Sequence, residues 1–200
     1  MGFLHFAILG TLVISWWLMD DARKDRFMLH PYSCFKGGEW HRVFSHAFIH
    51  ADWVHLGFNM FVLYEFGTTV EQDLHFLGWL GMPSLYLAGI LGGALPALRR
   101  HRGNPSYRSL GASGAVSAVL LAFICLHPTR TLLLFFVIPI PAFFAGVLFF
   151  WYEGRMQAKG HSRIAHDAHI GGAIVGTIWA FVAVPGTLTQ YLESLWTFLG

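Results

Sequence analysis

Apolar residues collect in six nearly charge-free runs, at 3–19, 53–67, 74–98, 112–128, 131–152 and 167–187, separated by polar connections. A helix crosses the hydrocarbon core with about 20 apolar residues. The pattern therefore predicts six membrane-spanning helices in one domain over 1–200, an all-α polytopic membrane protein. The second run reaches spanning length only by continuing to Gly67, with Glu65 near an end where headgroups can solvate it. The fifth carries Pro139 and Pro141, which remove backbone donors and are expected to bend that helix. The first run lacks a basic leading segment and a small-residue cleavage site, so it reads as a retained span rather than a leader.

Composition agrees with the pattern. Charged residues are 12% of the chain, about half the share of an ordinary soluble domain, too few to solvate its surface. A net charge of +2 with no basic stripe gives no support to a nucleic-acid partner. Cys34 sits in a polar loop and Cys125 in an apolar run, so no disulfide between them is expected. The first connection is long, and its segment 44–50 is amphipathic, suiting the membrane interface. Twelve of the 13 Lys and Arg residues lie in the first, third and fifth connections, Arg163 among them, and by the positive-inside rule these would face the cytoplasm.

Polar residues at membrane depth point to function. Ser113, within Gly111-Ala112-Ser113-Gly114, opens the fourth span. Unpaired N–H groups at a helix N-terminus favour negative charge there, as a serine nucleophile requires for its oxyanion. His169 opens the last span and shares a helix face with Gly172 and Gly176, a smooth face able to pack against the serine helix. Its imidazole is a plausible base near neutral pH. His55 and Asn59, one turn apart, supply two donors for an oxyanion. No aspartate lies deep enough to orient His169: Asp167 points to another helix face, and His166 is expected at the surface. A Ser113–His169 dyad is the expectation.

These residues, with Glu39-Trp40-His41-Arg42-Val43-Phe44-Ser45-His46, Phe48-Ile49-His50, Gly67 and Val70-Glu71-Gln72, stand in an order that resembles the rhomboid intramembrane serine proteases. The resemblance covers about residues 39–180. It implies a six-transmembrane-helix bundle of the basic bacterial type, with no extra helix or soluble domain, in the bacterial plasma membrane. It implies Ser113 as nucleophile and His169 as base, with His55, Asn59 and the Ser113 backbone holding the oxyanion. Gly111, Gly114, Gly172 and Gly176 then serve substrate access and packing. Arg42, His46, His50 and Glu71 brace the first loop and the base of the bundle. The substrate it implies is a single-pass transmembrane protein whose helix unwinds locally, and no cofactor or metal is implied. Ser117 departs from relatives that place an aromatic beneath the histidine. The family faces its site, and loops one, three and five, away from the cytoplasm, and this arrangement is preferred over the loop-charge rule.

Two other readings use the same chain. A non-catalytic rhomboid-like protein would bind and escort membrane clients, usually with the serine or histidine missing. A metal or haem protein would use some of the 12 histidines, with His46 and His50 at i, i+4 as a ligand pair.

Overall fold

The computed structural model describes residues 2–134, 137–159 and 165–200. Helix α1 (Phe3–Leu18) leads into the first connection, which holds α2 (Pro31–Gly37), α3 (Arg42–Ser45) and a 3₁₀ turn at His46–Phe48. Then come α4 (Trp53–Asp73), a 3₁₀ stretch at Leu74–Leu80, α5 (Gly81–Arg100) and α6 (Ser113–Leu126). A hairpin of β1 (Thr131–Leu134) and β2 (Ile138–Pro141) precedes α7 (Ala142–Lys159), α8 (His166–Ala183) and α9 (Thr187–Leu199).

The long helices alternate in direction. Helices α6 and α8 run parallel, because a Cβ on Gly172 would overlap the Gly114 carbonyl and one on Gly176 the Ala118 carbonyl. Helix α5 runs against both, with Gly93 at Gly114 and Gly89 beside Ala115 and Ala118. Helix α4 lies parallel to α6: His55 meets Gly111 at one end, and Asp73 bonds His127 at 2.7 Å at the other. Helix α1 is antiparallel to α4, since Leu4 packs at Gly67 and Ser15 bonds His50. All connections bearing the candidate residues therefore gather at one end. Helix α6 is the centre, with every residue from Gly114 to Val119 and from Leu121 to Cys125 buried. A helix apolar all round belongs inside.

The outside is apolar as well. Trp16, Phe58, Trp79, Val182 and Trp196 each expose more than half their surface. By length and hydropathy, the helical stretch Trp53–Arg100, bent at Gly78, is long and apolar enough to span. The pair α8 and α9, bent by 106°, passes when taken together, whereas α1 and α6 are shorter apolar helices.

Three differences from the sequence pattern matter. The run 131–152 is not one bent helix. Proline offers no N–H and pushes the residue before it out of the helical region. Ile138-Pro139-Ile140-Pro141 accordingly lies extended, pairing Thr131 with Pro141 and Leu134 with Ile138, and the helix starts only at Ala142. Residues 135–136 of that run, and Arg163 of the fifth connection, lie outside the described residues. Secondly, α4 continues to Asp73, so Glu65 sits in an exposed position well before its end. Thirdly, the last run breaks after Ala183, where Gly186 at φ +84° starts α9.

Candidate active site

The loop carrying Ser113 is held in place backbone by backbone. Leu29 and Ser109 exchange N–H···O bonds of 2.9 and 3.1 Å, tying the first connection to the third. Gly111 donates its N–H to the His46 carbonyl at 2.9 Å, and Ala112 donates to His50 Nε2 at 3.3 Å. Gly111 takes φ +118°, and a Cβ there would stand 2.7 Å from His55 Cε1, so both conformation and space call for glycine. Ser113 is then the first residue of α6, half-buried between buried neighbours. It borders a small cavity with Gly93, Ser109, Gly111, Ala165 and Ala168.

His169 lies in the first turn of α8, one turn before Gly172. The parallel backbone contact of Gly172 with Gly114 brings the opening turns of α6 and α8 to the same level. Gly93 of α5 wedges against both, as a Cβ there would lie 2.9 Å from Gly114 Cα and 3.2 Å from the Ala168 carbonyl. His55 joins from α4, whose start is capped by Asp52 accepting the His55 N–H at 2.8 Å. The His55 ring stands edge-on to His50, with centroids 4.9 Å apart. Asn59 is buried, and its Nδ2 donates one N–H to the His55 carbonyl at 3.0 Å. One of the two N–H donors of that amide is thus turned back onto its own helix.

The bracing residues divide between the two ends. Arg42 is buried and bonds Glu39 together with the carbonyls of Asp25 and Met28. It ties the first connection to itself. His50 has no exposed surface. Its Nε2 accepts from Ala112, so the ring proton sits on Nδ1, 2.9 Å from the Ser15 hydroxyl, which donates in turn to the Phe48 carbonyl. Burial holds its pKa down to about 3, and that of His46 down to about 4. Glu71 works at the far end of the bundle, accepting the Leu4 N–H at 2.9 Å and so satisfying an open donor at the start of α1.

Three expectations about histidines and their neighbours change. His46 and His50 do not form a helical i, i+4 ligand pair, because Ile49 between them is extended (φ −125°) and both ring nitrogens of His50 are engaged. His166 is not on the surface; it is buried, with Nδ1 2.6 Å from Glu153 Oε2. And a carboxylate does reach His169: Glu153 of α7 places Oε1 3.1 Å from His169 Nδ1. Asp167, by contrast, faces away and pairs with Arg100 at 3.3 Å.

Sequence reasoning missed Glu153 because it placed the end of a helix there. The late start at Ala142 moves it to the twelfth of 18 helical residues, about 16 Å along the axis. The signal available was the Pro-x-Pro pair, which shifts the helix frame. Glu153, His166 and His169 bring ligand-capable atoms within 4.8 Å of one another, a possible three-ligand metal set. Their 2.6 and 3.1 Å spacings are those of hydrogen bonds. Cys34 and Cys125 are both free thiols.

A family profile described as the Rhomboid domain matches residues 37–186. The chain is 38% identical to the RHOMBOID-like protein 12, mitochondrial, of Arabidopsis thaliana, over 86% of this chain and 57% of that protein. It is 34% identical to the Rhomboid protein 1, mitochondrial, of Saccharomyces cerevisiae, over 70% of this chain and 40% of the relative. The human Presenilin-associated rhomboid-like protein, mitochondrial, is 30% identical over 66% of this chain and 35% of its own length. The chain therefore spans little more than half the length of these relatives, or less. Their mitochondrial names do not support the bacterial assignment drawn from the resemblance. The matched segment contains the serine loop, the start of α8 and the His55–Asn59 turn, and on that match the chain belongs to the rhomboid family.

Proposed function

We propose that this chain, an integral membrane protein by its membership of the rhomboid family, is an intramembrane serine endopeptidase, a six-span bundle of α1, α4, α5, α6, α7 and α8. It cleaves peptide bonds in or near the transmembrane helices of single-pass proteins. The observation that carries this reading is the glycine-to-glycine contact of α6 and α8, which sets the first turn of one beside the first turn of the other.

In this mechanism the Ser113 hydroxyl attacks the scissile carbonyl while His169 Nε2 takes its proton, then returns it to the leaving amine. The oxyanion develops at the N-terminus of α6, where first-turn N–H groups lack helical partners. His55, packed on Gly111, and the second N–H of Asn59, one turn further along α4, are the donors that supplement them. Such donors act because the folded chain has already oriented them, so they do not reorganise when charge appears. The closely packed glycines matter for the same reason: they fix the distance between nucleophile and base.

A serine-directed fluorophosphonate probe and a membrane-helix substrate test this together. Wild type should be labelled and should cleave. Ser113→Ala should lose labelling and at least about 10³-fold of turnover while keeping its unfolding transition in detergent. Retained cleavage by that variant would remove Ser113 from the role.

A further inference from the structure

Resting on the reading above, we infer that Glu153 is the positioning residue of His169, making the working unit a Ser113–His169–Glu153 relay of contacts rather than a dyad. The first ground is chemical. A base that takes a proton on Nε2 must hold its own proton on Nδ1, and that proton needs an acceptor to fix the tautomer and the ring plane. An ionised carboxylate can only accept, and Glu153 Oε1 lies 3.1 Å from His169 Nδ1. The contact therefore selects the tautomer that leaves Nε2 without a proton, as a base at that atom requires.

The second ground is rigidity. Glu153 is 6% exposed, and its other oxygen is held at 2.6 Å by Nδ1 of His166. With both oxygens engaged, the carboxylate cannot rotate away from His169. His166 and His169 lie three residues apart on one face of α8, so a single side chain from α7 clamps the first turn of that helix. Burying a carboxylate is costly unless it is paired, and this one is paired with both His166 and the candidate base.

The third ground is what α6 does not supply: Ser117, buried one turn after Ser113, is not an aromatic that could stack on an imidazole. The contact through Nδ1 holds the ring from the side. Among the described residues, two other titratable groups near the start of α8 have partners of their own. Asp167 is paired with Arg100 of α5, and His55 of α4 is packed against Gly111 and His50. During attack the Ser113 proton moves to Nε2, turning a neutral imidazole beside a carboxylate into an ion pair. The charge that develops on the base thus appears where a fixed counter-charge already stands.

The test compares Glu153→Gln and Glu153→Asp with wild type in detergent or vesicles, reading kcat, KM, the rate of fluorophosphonate labelling and the unfolding midpoint. Glu153→Gln should lower kcat and labelling together by about 10²- to 10⁴-fold with KM nearly unchanged. Glu153→Asp, which keeps the charge at shorter reach, should recover at least about ten-fold of that loss and still fall short of wild-type kcat. A folded Glu153→Gln protein within about three-fold of wild-type kcat would overturn the inference and leave the Ser113–His169 reading intact. Should the Gln variant not fold, the Asp variant decides: kcat lowered at unchanged KM supports the role, and wild-type kcat ends it. A wild-type protein that the probe never labels would instead sink the protease reading itself, whatever Glu153 does.

Discussion

Replacing Gly172 by alanine adds a single methyl group at the contact on which the candidate site depends. That methyl would overlap the carbonyl oxygen of Gly114 and lie 2.7 and 2.9 Å from the Gly114 carbonyl carbon and Cα. Ordinary contacts of this kind are about 3.5 Å, so α8 must move off α6 by about 1 Å. The neighbour is backbone in the first turn of α6, so no flexible side-chain end can give way. Two consequences should follow. Overpacking costs about 1–3 kcal/mol of stability. A displacement of about 1 Å between reacting groups costs about 10²-fold in rate. Unfolding in detergent and turnover of a membrane-helix substrate measure both, with Gly154→Ala as the control. Gly154 is helical with open space around it, and alanine there should be neutral or stabilise by up to about 1 kcal/mol. A Gly172→Ala protein with wild-type stability and kcat would refute the claim that this contact sets the spacing of Ser113 and His169.

Two further outcomes are expected. His46 and His50 stay neutral when folded down to about pH 4 and 3, whereas the unfolded chain protonates them near its ordinary 6.5. Between those values the unfolded chain binds more protons, so stability is full above about pH 6.5 and falls as the pH drops, by up to about 1.4 kcal/mol per pH unit for each histidine. Unfolding followed at about pH 7.5 and 5 checks this, and a flat profile would contradict it. Glu71→Ala should cost about 0.5–2 kcal/mol by leaving the Leu4 N–H at the start of α1 without its acceptor. Since Glu71 lies at the end of the bundle away from Ser113, turnover of the folded variant should match wild type, and a large kcat loss would show that the two ends are coupled.

Much of the site was legible along the chain. A serine between glycines at the start of an apolar run, and a histidine heading a glycine face at i+3 and i+7, both declare themselves by local spacing. Local spacing also finds His55 and Asn59 on one face of α4, though it does not reveal that Asn59 turns one N–H back to the His55 carbonyl. Where it failed, prolines were the cause. Reading 131–152 as a bent helix underestimates two Pro residues that each also restrain the residue before them. Once β2 takes that segment, α7 is reframed and Glu153 moves from a helix end to a buried position. The surface assignment of His166 failed for a related reason, because its partner lies 13 residues away on another helix.

What the amino-acid order determined alone is whatever depends on neighbours within a turn or two: the apolar runs, the caps, the glycine faces and the candidates for nucleophile and base. These follow from helix periodicity and from the cost of placing polar groups in hydrocarbon. Tertiary structure alone decided which helix ends meet. The close approach of Gly114 to Gly172, the His50 anchor on Ala112 and the carboxylate on His169 each join residues 16 to 62 positions apart. No local rule reaches that far, since such contacts are selected by packing the whole bundle rather than by any one segment's preference.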